Sequence, residues 1–289
     1  MSSCDCRGLF ANDKEVARRR SGAASRDSDE VIHKKCRQAC RRINQWFLKL
    51  TWRGVVMLAE NLKNVSDTIQ AALAKRTEKM ETGETVCLVA VTKNHPATVI
   101  PEIQSLGVEN VGENRVQEAR EKQEQIGHPG KWHLIGHLQT NKAKQAVELF
   151  DLIESADSEH LLWALEKESA KFNKVTDVLL QINVAREPQK TGFLPEEYEA
   201  VLEKLDGLSH IRVRGVMVIA PNTPDEALIH EVFRKGYEYF CGLKKLRKNI
   251  DYLSMGMSGD YAIAVEEGAN IVRVGTALFG PRDYSNRGY

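Results

Sequence analysis

From Val86 to Val274 the chain alternates short apolar runs with stretches of helical character, and no other feature constrains its fold as tightly. The runs read as strands at Val86–Val91, Asn110–Val111, Trp132–Ile135, Leu152–Ser155, Val178–Val184, Val213–Ile219, Tyr252–Met255 and Ile271–Val274. Between them, residues 97–106, 117–125, 142–149, 159–169, 195–205, 224–247 and 262–267 read as helices. A helix also precedes the first strand, with Leu58, Leu62, Val65, Ile69 and Leu73 three and four apart. Parallel strands need crossovers, and helices supply them. Eight such units predict a closed (β/α)8 barrel, an α/β fold in a single domain. An open doubly wound sheet is the alternative, but its G-x-G-x-x-G fingerprint is missing after the first strand.

The first 56 residues do not share this pattern. They hold 13 Lys/Arg against 6 Asp/Glu, whereas the remainder holds 28 against 34, and four of the six cysteines (Cys4, Cys6, Cys36, Cys40) fall among them. Rich in Ser, Arg and Asp and without periodicity, this head is expected to be disordered or to lie upstream of a true start at Met57. The barrel is then residues 57–289. The head lacks the apolar region of a secretory signal, and its six acidic residues argue against a transit peptide. A net charge of +1 gives no reason to expect nucleic acid or a membrane surface, and no apolar segment is long enough to span a bilayer. With only Cys87 and Cys241 in the body, the chain is not a disulfide scaffold, and a reducing, cytoplasmic location is expected.

In a barrel the chemistry collects at the carboxyl ends of the strands. The first strand ends at Lys93, which is either a solvated rim residue or a lysine held at a site. Desolvation lowers a lysine pKa and frees the amine that attacks carbonyls. Ser258 and Gly259 precede a short helix, and Gly275-Thr276 follow the last strand. Read singly these are an N-cap and a tight turn; together they predict a phosphate site in the loops after the seventh and eighth strands. Arg273 lies two residues before Gly275 on the same face of an apolar strand, so it needs either a carboxylate or a ligand's ring nitrogen or anion. A carbonyl-seeking lysine, a phosphate cradle and an inward arginine describe a pocket for pyridoxal phosphate. His133 and His137 invite a zinc reading, but their spacing falls on a strand and turn, and no third ligand is evident, so no metal is expected.

These residues resemble the pyridoxal phosphate homeostasis protein family, single-domain barrels related to the N-terminal domain of alanine racemase (fold type III among pyridoxal phosphate proteins). The matching segments are AENLKNV (59–65), LVAVTKNHP (88–96), VGENRVQE (111–118), WHLIGHLQTNK (132–142), RGVMVIAP (214–221), YLSMGMSGDYAIAVEEGAN (252–270) and VRVGTALFGPRDY (272–284). The resemblance implies that Lys93 carries the cofactor as an aldimine, that Ser258, Gly275 and Thr276 hold the phosphate, and that Arg273 faces the pyridine nitrogen. Asn114, His133 and Met255 would line the pocket. It implies a monomer or weak dimer that carries or buffers the cofactor for vitamin B6 balance, with apo-enzymes as recipients and no catalytic residues of its own. The alternative is a racemase or decarboxylase of alanine-racemase type. Racemases add a second domain that supplies an opposite-face tyrosine, and nothing of that kind is expected here.

Overall fold

The computed structural model describes residues 56–76 and 79–281. The expectations for residues 1–55, including their four cysteines, and for the last residues of the 272–284 segment lie outside the described residues. Val56, placed in the head by composition, already belongs to a helix.

That helix, α1 (56–74), leads into eight strands and their crossovers. They run β1 (Cys87–Val91), α2 (Val99–Ser105), β2 (Asn110–Glu113), α3 (Val116–Ile126), β3 (Lys131–Leu134), α4 (Ala143–Leu149), β4 (Leu152–Ala156) and α5 (Glu159–Lys171). The second half is β5 (Thr176–Ile182), α6 (Pro195–Lys204), β6 (Ile211–Val218), α7 (Glu226–Leu246), β7 (Tyr252–Ser254), α8 (Tyr261–Glu266), β8 (Ile271–Val274) and α9 (Thr276–Phe279). Every strand pairs in parallel with the next, and β8 returns to β1 with Cys87 opposite Ile271 and Ala90 opposite Val274. The sheet is closed, so it is a barrel and not the open alternative.

The continuous apolar runs follow from burial of both strand faces. Side chains alternate: Val89, Leu152, Leu179, Met217 and Ile271 fill the barrel, while Ala90, Val111, Leu134, Ile153, Val216 and Val272 pack outward under the helices. Two of the longer helices begin where short polar side chains cap them. Ser158 Oγ accepts from Leu161 N at 3.3 Å ahead of α5, and Asp225 Oδ1 accepts from Leu228 N at 3.2 Å ahead of α7. The buried stripe of α7 is Ile229, Val232, Phe233, Gly236, Phe240 and Leu243, and burying each phenylalanine contributes about 1.5–3 kcal/mol. Gly236 lets α7 lie close on the sheet: a Cβ there would stand 2.8 Å from Met255 Sδ and 3.0 Å from Val218 Cγ2. Gly215 marks the register shift between β5 and β6. At φ +156° its Cβ would come within 1.7 Å of Tyr252 O, so a side chain there would force β6 and β7 apart.

Candidate functional site

Pairing of β8 with β1 brings the two most informative loops together. Val89 lies opposite Arg273 and Ala90 opposite Val274, so Gly275 comes level with Val91, two residues before Lys93. A Cβ on Gly275 would meet Val91 Cβ and O at 3.3 Å, so glycine lets the ends of β8 and β1 lie close together. Ser258, from the loop after β7, reaches the same place: its Oγ accepts from Gly275 N at 3.2 Å and from Ala277 N at 3.3 Å. Thr276 opens α9 and is exposed. Ser258 Oγ thus stands where two backbone N–H groups converge between β7 and β8, a place at which an anion's oxygens would compete for the same donors.

Lys93 follows β1 in a tight turn and is half-buried. The turn reverses through Asn94 at φ +61°, a left-handed conformation that Asn tolerates better than most residues. Strand alternation sends Thr92 outward and Lys93 to the barrel mouth. Asn114 stands just past the end of β2, half-buried, with its backbone pressed by the β3 loop. A Cβ at Gly136 would lie 2.5 Å from Asn114 O. Lys93, Asn114, Ser258, Arg273, Gly275 and Thr276 therefore all sit at the carboxyl end of the barrel, on β1, β2, β7 and β8 or their loops.

Arg273 is 3% exposed and points into the barrel. Its Nη1 donates to Ser254 Oγ at 2.5 Å and its Nη2 to Val218 O at 3.1 Å. Ser254 in turn donates to Glu154 Oε2 at 2.5 Å, and His133 Nδ1 meets Glu154 Oε1 at 2.7 Å. His133 Nε2 continues the chain to Asn110 Oδ1 at 3.1 Å. Burial alone would push the Glu154 carboxyl up, but His133, Arg273 and Ser254 outweigh it and hold the group below its ordinary range. Burial pulls the Arg273 pKa down, and Glu154 and Asp260 oppose that pull. With three partners around it, the carboxylate stays ionised and answers the buried guanidinium.

Two expected pocket residues lie elsewhere. Met255 is fully buried on the helix side of the sheet, its sulfur against Gly236 of α7, so it backs the wall instead of lining the pocket. Its parity decides this: Leu253 packs outward, so Ser254 faces in and Met255 out. His133 does face inward, but deeper in the barrel, with both ring nitrogens engaged by Glu154 and Asn110. His137 pairs with Asp157 Oδ2 at 2.6 Å on the surface, so the two histidines do not share a site. Nothing in the spacing marks Ser254, but Glu154 carries a signal, since it is the one charged residue of the buried LIESA strand.

A second buried cluster, also unforeseen, lies behind the Lys93 turn. Lys122 of α3 donates to Thr92 O at 2.7 Å, to Glu113 Oε1 at 2.7 Å and to Glu118 Oε1 at 2.8 Å. Thr92 Oγ1 donates to Glu113 Oε1 at 2.6 Å, and Asn94 N to Glu118 Oε1 at 2.5 Å. Burial pushes the Glu113 carboxyl up to about 7 despite the pull of Lys122. Glu113 Oε2 is buried with no hydrogen-bond partner among the described residues.

The closed parallel barrel sets the class, and residues 66–283 match the family model described as alanine racemase, N-terminal domain. Within that class the chain belongs to the pyridoxal phosphate homeostasis protein family. The member from Pasteurella multocida is 37% identical over 235 residues, which is 79% of this chain and 99% of the relative. The one from Escherichia coli is 36% identical over 234 residues, 80% of this chain and 99% of the relative. Among solved structures, PipY of Synechococcus elongatus with PLP bound is 36% identical at a TM-score of 0.66, over 77% of this chain and 100% of that one. Alanine racemase from Corynebacterium glutamicum shares the fold: it is 17% identical at a TM-score of 0.61, over 81% of this chain and 63% of that one. Among the described residues no helix is long and apolar enough to cross a membrane.

Proposed function

We propose that this chain binds pyridoxal 5′-phosphate covalently through Lys93 and holds it for delivery to apo-enzymes, without turning over amino acids at an enzyme's rate. The observation that supports the reading is the β1–β8 register, which brings Gly275 level with Val91, two residues before Lys93, and so sets the Lys93 turn beside Ser258, Gly275 and Ala277. The residues fit the cofactor at three points. The cradle offers donors to the phosphate, Arg273 offers N–H groups to the ring, and Lys93 offers an amine. The cofactor supplies an aldehyde; the neutral amine of Lys93 adds to its carbon, a C=N bond forms, and the carbonyl oxygen leaves as water. A permanently charged guanidinium beside the ring nitrogen disfavours protonation there, which weakens the electron sink that amino-acid chemistry draws on. The names of the relatives and the PLP in the PipY structure support the same reading.

A racemase needs a second proton carrier on the opposite face. His133 has both nitrogens engaged inside the barrel, and 53% of the His137 side chain is exposed beside Asp157. Neither histidine is placed to serve, and Tyr261, the third candidate, packs half-buried against the core at the start of α8, which favours the carrier over the enzyme.

Borohydride reduction of the loaded protein, followed by peptide mapping, should fix the pyridoxyl group on Lys93; a label on Lys142 or Lys190 refutes the assignment. Transfer to an apo-enzyme and chiral analysis with L- and D-amino acids test the role. Lys93-dependent turnover at about 1 per second or faster would make the protein an enzyme. In the cradle, Ser258→Ala should weaken pyridoxal phosphate binding by about 1.5–3 kcal/mol while sparing pyridoxal. Equal losses would place the phosphate elsewhere.

A further inference from the structure

The geometry points to Lys122 as a positioning residue for Lys93: its buried ammonium, with Glu113 and Glu118, clamps the turn that presents the reactive lysine. This inference rests on the reading of Lys93 above. Both chain neighbours of Lys93 are held by the cluster. Thr92 is gripped at its carbonyl by Lys122 and at its hydroxyl by Glu113, at 2.7 and 2.6 Å. Asn94 is gripped at its N–H by Glu118 at 2.5 Å. Strand alternation sends Lys93 itself to the opposite side, toward the barrel mouth.

The ammonium suits this task because it carries three donors on a flexible stem, and here each has gone to a different partner. Those partners lie at the end of β1, at the end of β2 and in the first turns of α3. A ladder hydrogen bond, Thr92 N to Gly112 O at 3.1 Å, already ties the first two. The clamp adds the helix and fixes where β1 stops. Stability alone does not account for it, since the Lys122 side chain is 6% exposed and that of Glu113 0%. Apolar residues of the same volume serve stability as well as a buried ion pair or better. What a charged cluster adds is a single arrangement of the groups around it, and here those groups flank Lys93. The turn also has to keep Asn94 at φ +61°, which an untethered turn would leave in more favourable conformations.

The test compares wild type with Lys122→Met, which keeps the stem and removes the charge. Two ligands are used: pyridoxal 5′-phosphate, and pyridoxine 5′-phosphate, which has the phosphate and ring but an alcohol in place of the aldehyde. The variant is expected to keep its circular dichroism and to bind pyridoxine 5′-phosphate within twofold of wild type. Its rate of C=N formation, followed by absorbance, is expected to fall tenfold or more. Capture at the wild-type rate, or an equal loss for both ligands, overturns the inference. If Lys122→Met does not fold, Glu118→Ala decides. A slowing confined to pyridoxal 5′-phosphate supports the clamp, and a wild-type rate or equal losses refute it. Borohydride labelling of wild type keeps the two readings apart: without a label on Lys93 the proposed function fails first, whatever the variants do.

Discussion

Glu154 and Glu113 are both fully buried carboxyls on strands of the barrel, yet they are driven in opposite directions. Inside the barrel, Glu154 is held below its ordinary range; behind the Lys93 turn, Glu113 is pushed up to about 7. Burial opposes ionisation equally in kind at both, so the difference lies in their partners. Glu154 is met by Ser254, His133 and Arg273 together. Glu113 shares one cation, Lys122, with a second carboxylate, Glu118. The inner chain is balanced and holds Arg273 in one place. The outer cluster has one negative charge too many, and near neutrality it sheds that charge by taking up a proton.

Arg273→Met should give the largest effect. It leaves the buried Glu154 without the guanidinium at 3.7 Å, and breaking a buried pair in this way costs about 3–5 kcal/mol. Denaturant unfolding measures it. Lys122→Met should cost less, because Glu113 is already poised to neutralise itself. If the outer variant loses more than the inner one, the account of the two clusters is reversed.

The pH dependence of Glu113 sharpens the contrast. Its folded-state pKa is raised, so the stability tied to its neutral form is complete below pH 4.5 and is lost as the pH climbs through about 7. Glu113→Gln stands permanently in for the neutral form. Relative to wild type, the variant should gain stability between pH 5 and pH 8, by an amount on the order of 3 kcal/mol. A difference that stays flat across that range would mean that Glu113 titrates normally. Glu154 carries the opposite sign: its stabilisation is present above the ordinary carboxylate pKa and is lost in acid, as pH falls through its lowered value.

Much of this was legible before any coordinates, and what was missed has a common cause. The strands could be placed because a strand buried on both faces is a continuous apolar run, and β7 and β8 begin where the pattern begins. β2 runs on to Glu113 because Gly112 and Glu113 break the apolar run without breaking the ladder. Lys93, Ser258 and Gly275 stand out in the sequence because each follows a strand, and Arg273 because a charge interrupts an apolar one. Glu113, Lys122 and Thr92 do not. They meet through the register of β1 on β2 and the rotation of α3, which composition and spacing do not specify. Met255 was misplaced for a simpler reason: in YLSM the inward parity belongs to Tyr252 and Ser254.

The smallest effect should come from Thr92→Val, and it separates the two grips on the Lys93 turn. The substitution removes the hydroxyl that donates to Glu113 Oε1 and leaves the carbonyl that accepts from Lys122. Valine keeps the volume and the β-branch, so the loss is one hydrogen bond, about 1 kcal/mol. That bond strengthens when its acceptor is charged. Since Glu113 ionises as the pH passes about 7, the cost should grow from pH 6 to pH 8.5. Covalent capture by Lys93 should slow far less than in Lys122→Met, because the backbone remains held. A loss of capture as large as that of Lys122→Met would show that the Thr92 hydroxyl, and not the ammonium, sets the turn. A cost independent of pH would show that Glu113 keeps one charge state throughout.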